Sequence, residues 1–249
     1  MNAQPIHPSV SNAVSPRRVL VAVVCNTPMV FAKTARSLVE IGWGNRVEEA
    51  KRLHGIDEIC FQWQSTGARV DVLRNQVVRD ARTIEASHIL FLDADMTFPH
   101  DLLPRILAHA SDPWRIVGGL YVLKGPPYAP VALINERHEQ GVWWFDYLDL
   151  DGVDDLARVD VIGMGCTLIP MEAFECEEPW FAYRDDSEGE PRVSEDVEFC
   201  QRARERGFEI FVDTRIQADH LTVEPRGPAW SAEYQRAKAA RLPLVASRV

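Results

Sequence analysis

Four consecutive apolar residues, Ile89, Leu90, Phe91 and Leu92, run directly into Asp93-Ala94-Asp95. A run this short, without polar alternation, fits a strand buried on both faces, as in a parallel sheet covered by helices on each side. The carboxylates then fall where the strand ends, and in an open α/β sheet ligands bind in the crevice beyond those ends. This stretch therefore points to a layered α/β fold and to the edge where chemistry is expected. The acid pair itself has two readings. Residues i and i+2 of an extended segment point to one side, so Asp93 and Asp95 can reach one hard cation, Mg²⁺ or Mn²⁺. Alternatively Asp93 caps the turn and Asp95 caps a helix begun by Pro99, and for an isolated D-x-D that reading comes first.

The flanks carry the same alternation. Val19 to Cys25 reads as another buried strand, followed by the turn Asn26-Thr27-Pro28 and a helix from Phe31 to Ile41. Glu58 to Gln64 reads as a strand and Arg74 to Glu85 as the helix leading into the central run. Pro99 opens a helix through Leu107, and Arg115 to Leu123 is a strand that Lys124-Gly125-Pro126-Pro127 stops, because two prolines remove two ladder donors. From Val131 to Val161 the pattern changes to short strands, which predicts a mixed sheet whose later strands shape the site. Gly163-Met164-Gly165 permits close backbone approach to a ligand, or a bulge. Met171 to Phe174 is a short helix, and the acidic stretch Glu175 to Arg192 is expected to be a mobile loop. Ser194 is an N-cap, with Val197, Cys200 and Ala203 along one helix face and Gly207 as the stop. Glu209 to Val212 is a strand and Ile216 to Leu221 a return segment. The predicted organisation is a disordered tail over 1–16, one α/β domain over 17–228 and a peripheral C-terminal helix and tail over 229–249.

Composition narrows the function classes. With 249 residues, 46% of them hydrophobic, the chain can bury a full core, and its formal charge of −10 argues against nonspecific binding to nucleic acid or anionic membranes. From Gln201 onward, however, nine Arg or Lys stand against six Asp or Glu, which leaves room for a local basic surface. Five cysteines without a C-x-x-C pair favour reduced thiols and a cytoplasmic location. Neither a leader pattern nor a membrane-length apolar run is expected, since Val19 to Cys25 is too short to span.

Two further groups stand out. Glu195-Asp196 begins a predicted helix, where acids also simply complement the helix dipole. His220 ends the return segment and offers a neutral imidazole, although such a histidine equally serves as a structural hydrogen bonder beside Asp219. In order, LFLDADM, GMGC, SEDVEFCQRARERGFEIFVD and ADH resemble a GT-A-fold glycosyltransferase of the family 2 type, over about Arg17 to Leu221. The resemblance implies a GT-A fold, with a mixed, mainly parallel central sheet flanked by helices. It gives Asp95 the main metal contact and Asp93 a ribose or metal contact. Asp196 becomes the candidate base, Glu195 its acidic neighbour and His220 the third metal ligand. Asn26, Thr27 and Pro28 would lie at the nucleotide base, unless they are a simple turn. Arg74-Asn75 resembles an R-N pair whose guanidinium reaches donor phosphate or makes a surface ion pair. Ala94, Gly163 and Gly165 complete the expected donor-binding set.

The implied reaction is metal-dependent transfer of a hexosyl or pentosyl group from a UDP- or GDP-sugar to a hydroxyl acceptor. Mn²⁺ or Mg²⁺ would offset charge on the departing diphosphate, and Asp196 would take the acceptor proton with inversion. A carboxylate at a helix N-terminus is expected to stay ionised at neutral pH. Three alternatives stand beside this. One is a retaining GT-A transferase, with a hydroxylated base in DNA as an acceptor for which the basic C-terminal part leaves room. The second, a sugar nucleotidyltransferase, usually has a basic Gly-rich phosphate loop, which Asn26 to Lys33 lacks. The third is a non-catalytic sugar-nucleotide-binding module.

Overall fold

A computed structural model describes residues 16–27, 30–42, 45–139, 142–185, 191–222, 225–226 and 236. Strand β1 (Arg18–Val24) is followed by helices α1 (Ala32–Gly42) and α2 (Asn45–His54), then by β2 (Glu58–Gln64) and α3 (Val70–Thr83). Next come β3 (His88–Asp93), β4 (Met96–Thr97), α4 (Leu102–Ile106) and β5 (Arg115–Leu120). A β-rich stretch holds β6 (Ala132–Glu139), β7 (Val142–Tyr147), β8 (Leu156–Val159), β9 (Val161–Ile162) and β10 (Cys166–Pro170). The remainder comprises β11 (Arg184–Asp185), β12 (Pro191–Val193), α5 (Glu195–Glu205), β13 (Glu209–Gln217), β14 (Asp219–Leu221) and β15 (Pro225–Arg226).

The central sheet runs in the order β2-β1-β3-β10-β5-β13-β8. β2, β1, β3, β5 and β13 share one direction, while β10 and β8 run against them. Side-chain alternation on β1 and β3 sorts the core into two layers. Val19, Val21, Val23, Leu90 and Leu92 pack with Leu38 and Ile41 of α1 and with Leu102, Leu103 and Ile106 of α4. Leu20, Ala22, Val24, Ile89 and Phe91 pack with Leu73, Val77 and Val78 of α3 and with Phe199, Cys200 and Ala203 of α5. Because both faces are covered, the strands need apolar residues at successive positions, which is why Ile89 to Leu92 shows no polar alternation.

Several boundaries differ from those the sequence predicts. α2 is an addition, and its weakly apolar sequence NRVEEAKRLH explains why periodicity does not mark it: Ala50 is its fully buried contact with the core. α3 starts at Val70, which places Arg74 one turn inside the helix. Asp101, not Asp95, stands at the N-cap position of α4, and Pro99 lies a turn earlier, its carbonyl accepting from the Leu102 amide at 3.0 Å. β5 ends at Leu120, and β13 extends to Gln217 through an irregularity after Asp213. The expected mobile loop is corrected over its first part. Trp180 is 3% and Phe181 0% exposed, pinned against α3, whereas 186–190 lie outside the described residues. So do the tail over 1–15 and, except for 236, the predicted helix over 229–241. The five cysteines are free thiols, and among the described residues no helix is long and apolar enough to cross a membrane.

Candidate active site

The strand ends meet at a cavity of about 660 Å³, within the range of ligand pockets, where β1, β3 and β5 release the chain and α5 begins. Its wall includes Asn26, Thr27, Arg74, Asp93, Ala94, Asp95, Tyr121, Lys124, Glu195, Asp196 and His220. β3 holds Asp93 at its last position. The Asp93 amide donates to the Gly165 carbonyl at 2.9 Å, and the Ala94 amide donates to that of Val24 at 3.0 Å, so the acid pair is fixed by the strands on both sides of β3.

Arg74 is the centre of the electrostatics. It is 2% exposed, and its guanidinium donates to Glu195 at 2.6 Å, to Asp196 and to Asp93 at 3.2 Å. This replaces both expected roles. A guanidinium already shared among three carboxylates is neither a surface ion pair nor a free arm for phosphate. Burial disfavours its charge, and Asp196, Asp93 and Glu195 more than restore it, so Arg74 stays protonated. One cation facing three acids leaves the acids undersupplied. Burial raises Asp93, the acid at the end of β3, above the usual carboxylate range against the pull of Arg74. Asp196 is pushed up to about 8, by burial first, with Glu195 and Asp93 adding to it and Arg74 opposing. The expectation that Asp196 is ionised at neutral pH because it sits at a helix N-terminus is corrected here. Burial and like charge outweigh the dipole.

Ser194 caps α5 as expected, accepting from the Val197 amide at 3.4 Å. This aims Glu195 and Asp196 at the cavity. Asp196 also accepts from the Met164 amide at 3.3 Å, and its side chain keeps 16% exposure, enough to be reached from the cavity. Glu195 is buried, and the nearby Tyr183 hydroxyl is raised by burial and by that carboxylate.

His220 arrives by a different route. β14 pairs with β4, so His220 lies opposite Met96 and the Leu221 amide donates to the Asp95 carbonyl at 2.7 Å. Its Nδ1 lies 2.5 Å from the Val122 carbonyl and must be the donor there, which leaves Nε2 with its lone pair. Burial lowers its pKa and keeps the ring neutral. A histidine whose second nitrogen is held by a backbone carbonyl is the usual state of a metal-ligating imidazole. Two carboxylates and this imidazole suit Mn²⁺ or Mg²⁺ in donor type. Among the described residues no three acids, histidines or cysteines already converge as a metal cluster. The carboxylates are instead answered by the protein's own cations, Asp93 by Arg74 and Asp95 by the Lys124 ammonium. The pairing with Lys124 also disposes of Asp95 as a helix cap.

Other expected residues separate. Asn26 and Thr27 line the cavity, and Pro28 lies outside the described residues. Asn75 does not line it. Its side-chain oxygen accepts from the Trp180 and Phe181 amides at 2.9 and 3.1 Å and its amide donates to the Phe181 carbonyl at 2.7 Å, a latch between α3 and the 176–183 segment. Gly163 and Gly165 are corrected likewise. A Cβ at Gly163 would collide with the Tyr121 hydroxyl, and one at Gly165 would lie 2.6 Å from Met96 Sδ, so these glycines admit protein rather than ligand. Sequence reasoning missed Tyr121 and Lys124. Tyr121 accepts from the Gly165 amide at 3.1 Å, and burial raises its hydroxyl pKa well above the usual value. Both follow β5 at the strand-end edge that the acid pair marks.

The sequence matches no family model and no curated protein. Solved structures resemble it in fold. A197 from STIV superposes with a TM-score of 0.54 at 15% identity, over 82% of this chain and 86% of that one. GalNAc-T7, solved with UDP, GalNAc and Mn²⁺, gives 0.53 at 11% identity over 82% of this chain, which spans 44% of that chain's length. With the mixed sheet, the helices on both faces and the acid pair at a central strand end, the architecture of this chain is the GT-A fold.

Proposed function

We propose that this chain is a metal-dependent glycosyltransferase, moving a sugar from a UDP- or GDP-sugar to a hydroxyl acceptor with inversion. The observation that carries the reading is the Arg74 bridge. One buried guanidinium ties Asp93, at the end of β3, to Glu195 and Asp196 at the start of α5. Support also comes from the GT-A fold and from the neighbour GalNAc-T7, whose structure holds UDP and Mn²⁺. Asp93, Asp95 and His220 would hold Mn²⁺ or Mg²⁺, which when bound neutralises charge on the diphosphate.

Asp196 acts as the base. As the acceptor oxygen bonds to the anomeric carbon, its proton passes to the Asp196 carboxylate, and the electrons of the broken carbon–oxygen bond leave with the nucleoside diphosphate. A carboxyl raised to about 8 is far more basic than an ordinary aspartate, so the proton transfer is better matched near neutral pH. Arg74 and the Met164 amide position that carboxylate, and Glu195 in turn holds Arg74 in place.

The test is a panel of UDP- and GDP-sugars with Mn²⁺, following slow donor hydrolysis, which needs no acceptor. Hydrolysis of one donor class, lost in Asp95→Ala, supports the reading, and failure to bind or hydrolyse any of them would sink it. Once an acceptor is found, NMR of the product anomer reports stereochemistry. Retention would remove Asp196 as an inverting base.

A further inference from the structure

We propose that Lys124 is a second cation of the donor site: its ammonium holds Asp95 before the donor binds and turns to the donor's diphosphate once a divalent cation takes that carboxylate. This rests on the donor-site reading given above. Two basic side chains, Arg74 and Lys124, are among the described residues that line the cavity. Arg74 is buried and shared by three carboxylates. Lys124 is therefore the one with reach.

The Lys124–Asp95 pair is open to solvent, with the side chains 49% and 35% exposed. Such a pair is weakly held and exchanges readily, and the lysine stem has the length and freedom to swing. Charge balance gives the exchange its direction. The acids of that wall share two cations, Arg74 and Lys124, and a divalent ion bound at Asp95 takes over the carboxylate that the ammonium held. A diphosphate entering next still meets buried carboxylates, and an ammonium released from Asp95 is the positive group available to face it.

The backbone around Lys124 is built for this. The Leu123 amide donates to the Ala129 carbonyl and the Tyr128 amide to the Gly125 carbonyl, both at 2.9 Å, so the turn is closed on itself. A Cβ at Gly125 would touch nothing within 4 Å, so the tip has room. Val122, two residues before Lys124, supplies the carbonyl that orients His220. One short segment thus sets both the imidazole and the ammonium.

Calorimetry on the full chain, comparing wild type with Lys124→Gln and Lys124→Arg, separates the steps. For Mn²⁺ alone, Lys124→Gln is expected to bind several-fold tighter, because a competing ammonium has left Asp95. For UDP and GDP with saturating Mn²⁺, whichever binds the wild type is expected to bind Lys124→Gln about tenfold more weakly, with Lys124→Arg recovering most of the loss. Unchanged diphosphate affinity in Lys124→Gln, unchanged Mn²⁺ affinity, or movement of both affinities in the same direction would overturn the exchange. If the wild type itself binds neither nucleotide, the donor-site reading falls and the exchange with it. Equal nucleotide binding by wild type and variant removes only the role of Lys124.

Discussion

Asp196 and Asp213 are both withdrawn from water beside an arginine, yet they titrate in opposite directions. Burial raises Asp196 to about 8. Burial also works to raise Asp213, but hydrogen bonds from His109 at 3.0 Å and from the Arg215 side chain and amide outweigh it, and its pKa ends below the usual carboxylate range. The difference lies in supply. Asp213 accepts from a guanidinium, an imidazole and a backbone amide, whereas Asp196 shares one guanidinium with Asp93 and Glu195. A satisfied carboxylate holds structure together, and an undersupplied one keeps its appetite for a proton.

The contrast can be broken most sharply at the arginines. Arg74→Met leaves three acids clustered without their cation and is expected to cost about 3–5 kcal/mol in urea unfolding. Arg215, half exposed, should cost no more than about 1 kcal/mol when changed to Met. Equal losses would mean that the two clusters are built alike. Asp196→Asn comes next. It should lower transfer about 10²–10⁴-fold while nucleotide affinity stays within about threefold, whereas Asp213→Asn should leave the rate per folded molecule unchanged. Parity between these two variants would remove Asp196 as the base.

Asp213→Asn should show its effect in stability instead, a loss of about 2 kcal/mol at neutral pH. Because folding lowers the pKa of Asp213, its contribution is complete above the ordinary carboxylate pKa and fades as pH falls toward the lower folded value, so wild type and variant should converge in acid. The smallest effect is the mirror image at Asp196. Folding raises its pKa, so its favourable contribution is present at low pH and is lost as pH rises through about 8. The thermal midpoint of the wild type should therefore decline more than that of Asp196→Asn as pH rises toward about 8 and run parallel to it above that, while kcat/KM rises about tenfold between about pH 7 and 9 as the base ionises. A flat rate profile with a flat stability difference would place the Asp196 carboxyl in the ordinary range.

The layered fold is legible in the sequence through residues whose environment is local. Ile89 to Leu92 announces a strand covered on both faces, and Ser194 announces the start of α5, because neither depends on a distant partner. The acid pair falls at the correct edge for the same reason. The role of Arg74 is not legible, since its partners lie in other elements, at the end of β3 and the start of α5, and helical periodicity says which face a residue occupies but not what waits there. A clue is present: Arg74 falls on the stripe of α3 occupied by Val77 and Val78, where a charge has no water to face. Lys124 reads as part of a loop, and nothing in its neighbours signals Asp95. Gly163 and Gly165 mislead because small residues announce close approach without saying whether protein or ligand approaches.

The strand that completes the site is β10, which runs against its two neighbours at the centre of the sheet. As the chain is synthesised, β3 has β1 beside it early, but its other neighbour is supplied only from Cys166 onward. Until then β3 presents an open hydrogen-bonding edge of apolar residues, the kind of surface that pairs with a neighbouring nascent chain. Closure by so distant a segment is a non-local pairing, the kind that slows folding relative to local contacts. The same closure brings the Gly165 carbonyl to the Asp93 amide, so the step that seals the edge also sets the acid in place.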